Sequence, residues 1–169
     1  MVTKLGIYQP DLSISDPAIA KIPACDNKCN VFVSEVVYDI LGKSFADPNN
    51  PAPDQPGKYF PYRVQQIADP NQNIPHFPVV KDNPQPGDIW SKYDEPTWIT
   101  WVPAIGPVIK HLFTTHHTGI YLDKYNGIDL YISARTDTSG VFGLGLFQHG
   151  AGIQIKALPS GGIFRHYTP

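Results

Sequence analysis

Most of the chain's 18 prolines fall between residues 47 and 107. Proline fixes φ and removes a backbone donor, so it interrupts both helix and ladder. The middle of the chain is therefore expected to be loop-rich, with regular structure on either side of it. Before it lies one strongly helical stretch, and after residue 109 the pattern turns to β.

Val33, Val36, Val37, Ile40 and Leu41 recur at helical spacing, with Ser34, Glu35 and Asp39 between them. Asp26 or Asn27 can cap the N-terminus by accepting from a first-turn N–H, and Gly42 suits the position just past the C-terminus. The spacing predicts a helix over 28–41.

Cys29 falls in the first turn of that helix, on the apolar stripe. Unpaired backbone N–H groups and the positive end of the helix dipole favour a thiolate there, and Lys28 adds a positive charge. The same N–H groups can contribute to an oxyanion hole. Cys29 is thus a candidate nucleophile. The competing reading is a cysteine that simply packs as a small hydrophobe.

Downstream, the candidate strands are Ile109–Phe113, His116–Leu122, Ile128–Ala134, Val141–Phe147, Ile153–Leu158 and Gly162–His166. Asn126-Gly127, Ser139-Gly140 and Ser160-Gly161 supply turn chemistry between them. One helix followed by a run of antiparallel strands is an α+β pattern. Strand parity puts His117, Gly119 and Tyr121 on one face, and Thr118, Ile120 and Leu122 on the other. Gly119 would leave room beside His117 for a helix terminus or a substrate backbone. His117 is then the candidate general base for Cys29, with His116 as the alternative of opposite parity.

A third polar group should orient the imidazole. Asp129, Tyr131 and Ser133 share one face of the next strand; Ser133 falls nearest, and Asp129 has the stronger chemistry. Gln148 and His149 are later candidates. Tyr62, Trp90 and Arg135 are candidate substrate-binding residues, against the simpler readings of packed aromatics and a surface charge. Asp88, in Pro86-Gly87-Asp88, reads as a hydrogen-bonding residue of the turn.

At 169 residues the chain is long enough for one domain with a real core. A net charge of −2 and the lack of a basic run speak against a dedicated nucleic-acid binder. Cys25 and Cys29 do not make a metal-site pattern, and His116, His117 and His149 lack HExxH-type spacing. There is no standard secretory signal and no apolar stretch of membrane-spanning length, so the protein is expected to be made soluble in the cytoplasm.

Three stretches together carry a family resemblance: Asn27-Lys28-Cys29-Asn30-Val31-Phe32-Val33, Pro86-Gly87-Asp88-Ile89, and His117-Thr118-Gly119-Ile120-Tyr121-Leu122 with Leu130-Tyr131-Ile132-Ser133-Ala134. In this order they resemble the NlpC-type and CHAP-type peptidoglycan hydrolases, a bacterial branch of the papain-like fold. The resemblance implies one papain-like domain over 1–169, with an N-terminal nucleophile helix packed on a small antiparallel β-sheet or barrel. It also implies cleavage of amide bonds in peptidoglycan stem or cross-link peptides through a thioester, with no metal or organic cofactor. Ser133 departs from the His, Asn, Gln or acid usual at the third position. The compact build also looks like an amidase toxin exported by a secretion system such as type VI and acting in the periplasm or cell wall. Such toxins usually have a cognate immunity protein; a phage endolysin or a piece of a larger protein would look similar.

Two other readings fit the same residues. One is a papain-like thiol enzyme that transfers or hydrolyses acyl groups on lipids. The other is a β-rich module that binds a glycan or a protein, with Cys29 merely buried.

Overall fold

The computed structural model describes residues 14–21, 29–94, 115–137 and 149–169. The expected strands Ile109–Phe113 and Val141–Phe147 lie outside these residues, as do Cys25 and both cap candidates Asp26 and Asn27. The described elements are α1 (Cys29–Leu41), β1 (Ala46–Pro51), β2 (Tyr59–Pro61), α2 (Val64–Ala68), β3 (Val79–Val80), β4 (Ile89–Asp94), β5 (Thr115–Tyr125), β6 (Ile128–Asp137), β7 (His149–Ala157) and β8 (Ile163–Arg165). The fold is α+β, with one small antiparallel sheet of order β3-β8-β4-β5-β6-β7 and a separate β1-β2 pair.

α1 follows the predicted stripe for most of its length. Cys29, Phe32, Val33 and Val37 are buried, and the Gly42 N–H closes the last turn on Tyr38 O at 2.9 Å. Ile40, expected on the stripe, is 74% exposed. Val31 and Ser34 are buried on a second side of the helix. There the chain at Ser15 and Asp16 is tied on through its N–H groups, which donate to the Glu35 carboxylate at 2.7 and 3.5 Å.

The sheet has two distinct faces. Ile89 pairs with Ile120, and Ile120 with Ile132, so these side chains share a face. They join Phe32, Val33, Val37, Phe45, Ile67 and Phe77 in one hydrophobic core, covered by α1 and α2. Each large apolar side chain buried there contributes about 1.5–3 kcal/mol relative to exposure.

Arg165 stands on the same face and is 1% exposed. Its guanidinium donates to four carbonyls, those of Ile67, Asp69, Gln72 and Phe77, at 2.7–2.9 Å. Burial pulls the guanidinium below its ordinary range, with the Asp69 carboxylate acting in the opposite sense. These bonds clamp the end of α2 and the following loop onto the sheet.

The Pro/Asn/Asp composition of Phe45 to Gly57 predicts a solvated loop, yet Ala46–Pro51 within it is strand β1. Phe45 and Asp47 are buried, and the Asp47 carboxylate accepts from Asn49 N at 3.0 Å and Gln66 Nε2 at 2.7 Å. Ser15 and Asp16 could by sequence cap a short helix through Ala18 to Ile22; a turn follows them instead and Ile19 forms a parallel bridge with Tyr59, while Ile22 lies outside the described residues.

Candidate functional site

β5 runs beside β4 in unbroken register, with Trp90 opposite Gly119 and Lys92 opposite His117. His117, Gly119, Tyr121, Trp90 and Lys92 therefore share the face away from the α1 core, while His116 shares the α1 face with Thr118 and Ile120. β6 brings Tyr131, opposite Tyr121, to the His117 face. Ser133, two residues on, has the same parity.

His117 Nε2 and Ser133 Oγ are hydrogen-bonded at 2.8 Å. Ser133 is 1% exposed and His117 half-buried. The imidazole meets the Tyr131 ring edge-on at 5.7 Å between centroids and the Trp90 ring at 6.4 Å; Trp90 and Tyr131 lie 4.9 Å apart. Both rings are 1% exposed, and Trp90 Nε1 donates to Gly161 O at 3.1 Å. Trp90 is thus a wall of the imidazole's pocket rather than an open binding surface. A serine hydroxyl both donates and accepts, so it can hold Nε2 in either protonation state without adding charge.

Gly119 explains why the pair can form, in a different way from the sequence expectation. A Cβ there would lie 2.5 Å from Ile132 O, 2.8 Å from the Tyr131 ring and 2.9 Å from Ser133 Cβ. The space beside His117 is filled by β6 of the same sheet, and not by a helix terminus.

Asp129, the alternative orienting acid, is engaged elsewhere. It accepts from Tyr121 Oη at 2.8 Å and faces Lys124 Nζ at 3.9 Å. Four residues of strand separate it from Ser133, about 13 Å. Burial and the Asp129 hydrogen bond push the Tyr121 phenol up to about 12.

Cys29 is buried as the first residue of α1. The C-terminal half of α1 meets Ile120 around a shared cavity. From Val37 back to Cys29 the helix rises about 12 Å, and from Ile120 back to His116 the strand rises about 13 Å. A series of contacts ties the same two ends together. Asn30 Nδ2 donates to Tyr62 O at 3.3 Å, and Ser91 Oγ lies 3.3 Å from Val64 O and 3.4 Å from His117 O. The helix N-terminus and the histidine-bearing start of β5 therefore occupy one end of the sheet.

The remaining sequence candidates fare differently. Tyr62 is 4% exposed and packs edge-on against Phe45 at 5.3 Å, so its ring belongs to the core and offers no face to a substrate. Burial first, then the Asp47 carboxylate, push its phenol up, against the Arg165 charge. Arg135 lies in β6, where its backbone pairs with Gly152, but its side chain is outside the described residues, as is that of His149. Gln148 is outside them altogether. Asp88 is a turn residue, accepting from Gln85 N at 2.8 Å, and is also bonded to His166. Tyr131's part in enclosing His117 and the anchoring contacts of Asn30 and Ser91 escaped the sequence reading. Strand parity was the available signal for Tyr131; none marked the other two.

Among the described residues, no group of three or more His, Cys, Asp or Glu is placed to hold a metal ion, and no helix is long and apolar enough to cross a membrane. The class defined is an α+β chain with a small antiparallel sheet and few helices. Compared with known proteins, it matches no family model, no curated protein and no solved structure.

Proposed function

We propose that this chain is a papain-like thiol hydrolase that cleaves amide bonds in peptidoglycan stem or cross-link peptides. The observation that carries the reading is that the α1 N-terminus and the start of β5, where Ser133 holds His117, occupy one end of the sheet; because His117 stands on the face that α1 does not cover, the reading requires the two side chains to meet around that end. In this reading His117 takes the Cys29 thiol proton and the thiolate attacks the amide carbon. First-turn N–H groups of α1 stabilise the oxyanion. The imidazolium then protonates the departing amine, leaving a thioester. His117 next deprotonates a water, which attacks the thioester and releases the acid and the thiol. Ser133 orients the imidazole throughout.

The wall-peptide substrate, the role of exported antibacterial toxin and the immunity-protein partner rest on the three-motif resemblance. Register favours His116 as the alternative base, because it shares the sheet face that α1 covers. A non-enzymatic binding module is favoured by the depth of Trp90, Tyr131 and Ser133, which suits a purely structural histidine.

The test is digestion of purified peptidoglycan by wild type and Cys29→Ala, with released muropeptides read by mass spectrometry. New peptide termini from wild type alone are expected. No cleavage by folded, reduced wild type rules the reading out.

A further inference from the structure

At the C-terminal end of α1 lies an open cavity of about 350 Å³, lined by Val37, Leu41, Phe77, Ile120 and Tyr167, with Ile40 at its rim. The end of the site described above is at the other end of the helix, about 18 Å away along 13 residues. Size and apolar lining are those of a small-molecule site.

One polar unit stands in its wall. Asp88 is 2% exposed, and its Oδ1 lies 2.6 Å from His166 Nδ1. A carboxylate only accepts, so Nδ1 is the donor, and whenever the ring carries a single proton Nε2 is left as an acceptor. His166 is about half exposed, and Nε2 has no hydrogen-bond partner among the described residues. The Asp88 Oδ2 is occupied by Gln85 N at 2.8 Å.

The charged group in the cavity wall is acidic: among the described residues no lysine or arginine lines it, and the last turn of α1 carries no basic residue. The negative end of the helix dipole therefore adds to the Asp88 carboxylate. The Phe77 and Tyr167 rings, 5.6 Å apart, add aromatic faces that attract a cation.

We propose that this cavity binds a small apolar molecule with a protonated amine head, its chain against α1 and Ile120 and its ammonium donating to His166 Nε2. An apolar carboxylate of the same length should be excluded, since its charge would face an acceptor and a helix C-terminus.

The test is titration of the ¹⁵N-labelled full chain at pH 8 with hexylamine and, separately, hexanoate. Hexylamine is expected to give saturable shifts at Ile40, Leu41 and His166, with a Kd on the order of 1 mM. Hexanoate should bind at least about tenfold more weakly. His166→Ala should weaken hexylamine by about tenfold, and so should Ile40→Lys, which puts a cation on an exposed rim position and leaves the core untouched. The proposal is overturned if hexanoate binds as well as hexylamine, if Ile40→Lys leaves hexylamine binding unchanged, or if neither compound gives a saturable shift at these residues.

Discussion

On one face of the sheet, Ile89, Ile120 and Ala134 meet the apolar stripe of α1; on the other, at the alternate positions of the same strands, Trp90, Tyr131 and Ser133 enclose His117. The first face is closed by helices and by a buried arginine whose three guanidinium nitrogens all bond backbone carbonyls. The second is held within the sheet itself, by two rings and one hydroxyl from β4 and β6. The difference shows how a single strand serves both: β5 alternates, so Ile120 goes to the core while His117 goes to the site. A slip of one residue would exchange them.

This comparison can be broken at several points. Cys29→Ala should reduce hydrolysis by more than about a thousandfold while leaving the melting temperature nearly unchanged, as activity assays and thermal unfolding will show. Arg165→Met strikes the structural face instead. It leaves four carbonyls without their donor, so denaturant unfolding should show a loss of about 3–5 kcal/mol. Gly119→Ala touches both faces' common strand. Forcing a Cβ against β6 should cost about 1–3 kcal/mol by the same measurement and displace the His117–Ser133 bond.

Ser133→Ala sharpens the contrast on the site face alone. It should lower kcat by about ten- to hundredfold with little change in KM, since in the proposed mechanism the hydroxyl orients the base without touching substrate. Full activity in this variant would show that the pair is only structural. A further effect, confined to alkaline pH, concerns Tyr121. Its phenol holds its proton up to about 12, whereas an unfolded tyrosine loses it near 10. The folded chain binds more protons in that window, so stability should be intact below pH 10 and decline toward pH 12. Chemical unfolding across this range checks it, and Tyr121→Phe should flatten that part of the profile.

The sequence announced much of this arrangement and concealed the rest for physical reasons. The apolar spacing of α1, the alternation around Gly119 and the placing of Ser133 over Asp129 beside His117 follow from local periodicity. Strand β1 was hidden because its Pro/Asn/Asp composition mimics a loop, although Asp47 spends its carboxylate inside the protein. Ile40 fits the helical stripe but lies at the helix end, beside a cavity rather than under the sheet. Arg165 and His166 act on partners some 80 to 100 residues away, so no local pattern could reveal them. Gly119 is legible in the sequence as a point of close approach, but only tertiary structure says which element approaches.

The proposed pairing of Cys29 with His117 is the centre of this account, and limited alkylation tests it most directly. Wild type, His116→Ala and His117→Ala would be exposed briefly to iodoacetamide near neutral pH, and labelling at Cys29 measured by peptide mapping. Rapid labelling in wild type and in His116→Ala, slowed by about tenfold or more in His117→Ala, is the predicted result. Equal rates in all three proteins, or slowing in His116→Ala alone, would contradict it.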